Sequence, residues 1–200
     1  MRRILTAAAL LWTMALTSPA IAFPHNSAWV ERNRPQMVHA LAIMKEWPVT
    51  TVQDLAMRTT RMVFNGAEFR VDDDWSAIYR EPWTALTNIA INSVGEEADA
   101  EALDCFTSRQ LVAGLLRMAN IQTRRIVIFD LNSFNDDTAI TSHTFLEYFD
   151  AEHGVWGMLD PIHGMRALDD RGAPLSYLEA WREKFTVRFE HVGTDLERQK

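Results

Sequence analysis

The sequence predicts an α+β fold, with helices first and an antiparallel sheet after them. Up to residue 119 the apolar residues recur at helical spacing, and from residue 125 they alternate at the strand period. Between the two regimes stands Asn120, a helix-stop residue followed, after a short turn, by a β-branched, extended run.

The first 22 residues read as a segment separate from this domain. Arg2 and Arg3 form a basic start, Ile4 to Leu16 an apolar stretch, and Ala20-Ile21-Ala22 a small-x-small cleavage site before Phe23. That apolar stretch is shorter than the ~20 residues a spanning helix needs, so the expectation is a cleaved signal peptide over 1–22 and a single domain over 23–200. A periplasmic or secreted location follows, with no membrane span after cleavage. Without Arg2 and Arg3 the chain carries 18 basic against 27 acidic residues, a net charge of −9. Such an acidic protein is a poor partner for nucleic acid or for an anionic membrane surface.

Residues 23–34 are polar and proline-flanked and read as a loose lead-in. Pro35 suits the first turn of a helix through Met37, Leu41 and Met44 to Trp47, which Pro48 ends. Thr51 caps a second helix, with Asp54 at the capping-box position, Leu55, Met62 and Val63 on its apolar face, and Asn65-Gly66 as its stop. Glu68 to Glu81 is acidic and irregular around Asp72-Asp73-Asp74. It lacks the glycine and distal glutamate of an EF-hand loop, so it reads as a solvated turn. Pro82-Trp83 opens a short helical segment through Leu86 and Ile89, and an acidic connector spans Gly95 to Glu101.

The next helix begins at Cys105 with Asp104 as its N-cap. Leu111, Leu115 and Met118 form one apolar stripe, with Val112, Leu116 and Ala119 beside it. Strands are expected over Arg125 to Leu131, His143 to Phe149 and Val155 to Leu159. The last two should form a hairpin about Glu152-His153-Gly154, and Asn132 to Thr141 is turn-rich. Tyr177 to Lys184 reads as a short helix, and Phe185 to Val192 as a half-buried strand with Phe185, Val187 and Phe189 inward. Trp156, Trp181 and Phe185 are expected in the core.

Chemistry concentrates at Cys105, the only cysteine in the chain. A single thiol makes no internal disulfide, and at a helix N-terminus the unpaired N–H groups and the macrodipole favour its thiolate. His143 opens the second strand and Asp160 closes the third. Together they are a nucleophile, a base and a group that orients the base. Each has a plainer reading: packing for Cys105, a surface position for His143, a turn before Pro161 for Asp160. Their joint occurrence favours the triad. No metal is expected, because His143, His153 and His163 lack helical ligand spacing and the cysteine stands apart.

The text DCFTSRQLVAGLLRMANIQTRRIVIF, followed by SHTFLEYFDAEHGVWGMLDP, resembles the transglutaminase-like superfamily of papain-like thiol enzymes. The resemblance rests on a cysteine-headed helix and a short turn with an arginine, here Arg124, before the first strand. It continues with a histidine opening a strand that also carries an acidic residue, here Glu147, and with Trp156 shortly before Leu159-Asp160-Pro161. Glu81-Pro82-Trp83-Thr84 is similar to the lead-in of bacterial transglutaminase-like cysteine peptidases. Those enzymes carry Gly-Asp-Cys-Glu-Asp, whose acids bind calcium in some members. Here Leu103-Asp104-Cys105-Phe106-Thr107 keeps only Asp104, so the expectation is no cofactor, with calcium as the alternative.

The resemblance implies a papain/transglutaminase-like core and attack by Cys105 on an amide carbonyl of a protein or peptide in the cell envelope. The oxyanion would meet the Cys105 backbone N–H and a side-chain donor, for which Trp83 is the candidate. Hydrolysis is expected over cross-linking, because bulk water competes with an amine. The alternative is a catalytically inactive member of the same fold that binds an envelope protein.

Overall fold

A computed structural model describes residues 27–44, 49–69, 82–99, 101–129, 142–183 and 186–191. The expected leader at 1–22, the Asp72-Asp73-Asp74 turn and the turn-rich stretch at 132–141 lie outside the described residues. The elements in chain order are α1 (Ser27–Ile43), α2 (Val52–Gly66), β1 (Glu68–Phe69), α3 (Pro82–Ser93), β2 (Ala102–Leu103), α4 (Cys105–Met118), β3 (Thr123–Phe129), β4 (Ser142–Asp150), β5 (Val155–Asp160), β6 (Met165–Leu168), α5 (Tyr177–Arg182) and β7 (Arg188–His191). The chain is thus mixed α+β, with, among the described residues, four helices ahead of a five-stranded antiparallel meander, β3-β4-β5-β6-β7. Among the described residues no helix is long and apolar enough to cross a membrane.

Local signals set several boundaries where expected. The Thr51 hydroxyl accepts the Asp54 N–H at 3.0 Å and Asp54 returns to the Thr51 N–H at 2.9 Å, a reciprocal capping box at the start of α2. Asn120 takes φ 60°, a left-handed stop just after α4. Gly154, at φ +69°, turns β4 into β5 with open space around it.

Other boundaries differ. Residues 27–34, expected as a loose lead-in, are helical, so Pro35 lies inside α1 and not in its first turn. An interior proline costs one helix bond and about 3 kcal/mol. Tertiary packing overrides it, because Met37, Ala40, Leu41 and Met44 are all buried in the main core. Three short strands were not foreseen. Glu68–Phe69 pairs in parallel with Ala102–Leu103, and Met165–Leu168 joins the sheet between β5 and β7. Two- and four-residue strands carry no readable period, and only their partners define them.

Trp181, expected in the core, is 66% exposed. The short helix α5 docks through Ala180 and Tyr177, and the next residue points about 100° away from that contact. Phe189 is 50% exposed, correcting its inward assignment. It sits on β7, the edge strand, while Val187, just ahead of that strand, packs against the core. The side chain of Phe185 lies outside the described residues.

The sheet has two working faces. Leu146, Tyr148 and Leu159 face the helices and share one core with Leu111, Val112, Leu115 and Leu116 of α4. Phe145, Met158 and Ala167 face the other way and pack on Ala180 of α5. Glu147, 1% exposed, belongs to this second face. It pairs with Arg124 across the β3-β4 register and accepts the Tyr177 N–H at 2.6 Å, fastening the start of α5 to the sheet. Arg124 lies over the Trp156 ring at 4.2 Å, so Trp156 is half-covered and not a core residue.

Candidate active site

Cys105 heads α4 because Asp104 stops the chain from starting the helix earlier. Asp104, at φ −97° and ψ 179°, accepts the Thr107 N–H at 2.7 Å, and the Thr107 hydroxyl accepts the Asp104 N–H at 3.1 Å. Immediately upstream, β2 is held by β1, so the chain enters the cap from a paired strand. The core face of α4 then fixes the helix axis. Replacing Asp104 with Ala should cost about 1 kcal/mol, lowering the melting temperature by roughly 3 °C in a chain of this size. A thermal melt checks this, and an unchanged midpoint would remove Asp104 from the positioning of the thiol.

His143 and Asp160 come from neighbouring strands, β4 and β5, on the face that carries Phe145. The His143 ring lies 5.8 Å from the Phe145 ring, and His143 Nε2 bonds Asp160 Oδ2 at 2.7 Å. In the antiparallel register Leu146 stands opposite Leu159, which makes positions 143 and 160 diagonal neighbours within side-chain reach. With Nε2 on Asp160, Nδ1 is the nitrogen left for the Cys105 thiol. The His143 side chain and the Thr144 backbone N–H stand beside the thiol and both favour its ionised form. The three residues singled out from the sequence therefore meet in one place.

Their electrostatics are mutually arranged. The bond to His143 holds the Cys105 thiol below its ordinary range, against burial and the nearby Asp104, which push it up. His143 is pushed up to about 9, chiefly by its bond to Asp160 and then by Cys105. Burial raises the Asp160 carboxyl, yet the bonds from His143 and His163 outweigh it, and the group is held below the usual carboxylate range. Proton transfer from the thiol to His143 thus yields a thiolate and an imidazolium held by a buried carboxylate. Cys105 is half-buried and His143 has 24% of its side chain exposed, so the pair is open to an incoming group.

Trp83 lies at the second position of α3, and its side chain falls outside the described residues. The oxyanion assignment to Trp83 consequently remains an expectation from sequence. His163 joins the site without having been picked for it: its Nδ1 bonds Asp160 Oδ2 at 2.8 Å and its ring packs edge-on against His143, centroids 5.1 Å apart. The available signal was the spacing Asp160-Pro161-Ile162-His163, which puts a histidine three residues past a turn-forming aspartate.

Among the described residues, two clusters hold enough ligand atoms for a cation, His143-Asp160-His163 and Asp150-Glu152-His153. In both, the aspartate and histidine atoms stand 2.7–2.9 Å apart, at hydrogen-bond distance. Two ligands of a tetrahedral zinc would stand about 3.3 Å apart. The geometry of both clusters is that of shared protons. Comparisons with protein-family models, with characterised proteins and with solved structures find no match to this chain.

Proposed function

We propose that this protein is an exported thiol enzyme that attacks amide bonds of protein or peptide substrates, on a papain/transglutaminase-like core. The observation that carries the reading is the relay of Cys105, His143 and Asp160, in which the acid and the base are already paired at 2.7 Å and the thiol is drawn toward ionisation. Cys105 attacks the carbonyl as thiolate, and the imidazolium of His143 delivers a proton to the departing amine. The amine leaves and a thioester forms on Sγ. Water, deprotonated by the now neutral His143, then releases the acid and restores the thiol. Asp160 holds the ring and stabilises its charged form throughout. The N-terminal Cys105 N–H lies where the oxyanion develops, and Trp83 is the proposed second donor.

The test uses the full chain with its leader, recovered from the periplasm, where the mature protein should begin at Phe23. Wild type is incubated with a peptide mixture with and without a fluorescent primary amine, and new amino termini, ammonia and amine incorporation are measured. Wild type should hydrolyse at least one class of amide and Cys105→Ala none. Identical traces for the two would refute the enzyme reading and leave the fold as an inactive envelope-binding module.

A further inference from the structure

The Asp160 carboxylate is held from more sides than a triad acid needs. Its Oδ2 accepts from His143 Nε2 at 2.7 Å and from His163 Nδ1 at 2.8 Å, while Oδ1 meets the His163 backbone N–H at 3.4 Å. The His163 ring stands at 74° to that of His143, so one side chain touches both the acid and the base. His163 is not a second base for the thiol, whose partners are His143 and the Thr144 N–H.

The chain contains its own comparison. At the other end of β5, Asp150 and His153 have the same spacing. His153 Nδ1 bonds Asp150 Oδ2 at 2.9 Å, and Oδ1 accepts the Glu152 and His153 N–H groups at 3.0 and 3.4 Å. Gln53 Nε2, at 3.1 Å, takes the place that His143 takes on Asp160. An aspartate with a histidine three residues on is therefore a local device that pins a carboxylate at the end of a strand. At Asp150 it closes a hairpin, and at Asp160 it sits beneath the base.

Resting on the triad reading above, we infer that His163 is a positioning residue of the site: it fixes the plane of the Asp160 carboxylate and confines the His143 ring. The physical need is clear. The terminal torsion of an aspartate is broad, and the single bond from His143 would leave the carboxylate free to turn. A second donor on Oδ2 and a third on Oδ1 remove that freedom. The His163 side chain is 54% exposed, so water can partly replace its N–H, which limits the effect of losing it. The charged and titratable groups around the pair include Asp160 and His163 on the His143 side and, on α4, Asp104 and the largely buried Arg109 beside the thiol.

The test is the rate of Cys105 alkylation by iodoacetamide from pH 4 to pH 10, which needs no known substrate. In wild type a plateau should separate formation of the thiolate-imidazolium pair from loss of the His143 proton at about 9. His163→Ala should move both transitions inward, with the rate on the acid side down roughly tenfold, as expected for a loosened catalytic geometry. His163→Asn, whose amide N–H can occupy the Nδ1 position, should restore the profile to within about twofold. His153→Ala, the equivalent change at the other end of β5, should leave the profile unchanged. A His163→Ala profile that overlays wild type, or a His163→Asn profile as narrow as that of His163→Ala, would overturn the inference. A wild-type profile like that of a free thiol would instead overturn the triad reading itself.

Discussion

Replacing His143 with Ala is expected to abolish the alkylation plateau of Cys105 and lower its rate at pH 6 by on the order of 100-fold, toward the behaviour of an ordinary thiol of pKa ~8.5. The argument follows the sources of ionisation. The bond from His143 is the largest influence holding the thiol down, and His143 adds its charge when protonated. Without it, burial and Asp104 oppose ionisation, while the Thr144 N–H, the start of α4 and the Arg109 guanidinium favour it. Asp160→Asn should fall between this variant and wild type. An asparagine still reaches His143 Nε2 but cannot stabilise the imidazolium by charge, so the plateau narrows without vanishing. A His143→Ala protein that alkylates at pH 6 as fast as wild type would end the triad reading.

The same groups link the site to stability. The folded pKa of His143 is raised to about 9, so its contribution is complete below the unfolded value of about 6.5 and is lost as pH rises through 9. Asp160 is shifted the other way: its contribution is present above the unfolded carboxylate range and is lost as pH falls through the depressed folded value. The site therefore supports the fold between the carboxylate range and about 9, and alkaline conditions remove the share due to His143 first.

Gly66→Ala is expected to destabilise the protein by about 3 kcal/mol or more, a fall of roughly 10 °C in the melting temperature. On helix propensity alone the change would be favourable by up to about 1 kcal/mol. Contact reverses the sign. A Cβ at Gly66 would lie 1.9 Å from the Ile89 carbonyl oxygen and 2.7 Å from its carbonyl carbon, so α2 and α3 meet backbone to backbone. Neither is the end of a flexible side chain, and Ile89 and Leu86 are fully buried, so relief requires α3 to move within a packed core. Thermal unfolding beside wild type measures this, and a loss under about 1 kcal/mol would contradict the close approach of the two helices.

Features written into one local stretch were legible from sequence. Thr51 with Asp54, and Asp104 ahead of Cys105, are caps whose partners lie within three residues, and the stripe at Leu111, Val112, Leu115 and Leu116 has the helix period. Less legible were features that depend on partners far along the chain. The helix through 27–34 runs past a proline that local preference would make a start. β6 has four residues, and its existence depends on Leu159, Asp160 and the 188–191 strand beside it. Trp181 looked like core by type, but which residue of a six-residue helix faces inward is set by how Glu147 fastens its first turn.

Residue identity and order determined that this chain has a lone thiol at a helix start, a histidine opening one strand and an aspartate closing the next, because caps, periods and turn residues act over a few positions. Tertiary structure alone decided that they meet. The antiparallel register puts 143 diagonal to 160, and the packing of α4 on the opposite face of the same sheet brings its first turn to Thr144. It alone also turned His163 from one of several scattered histidines into a partner of Asp160. Hydrogen bonds of 2.7–2.8 Å depend on side-chain direction, and direction is settled only when the strands are paired.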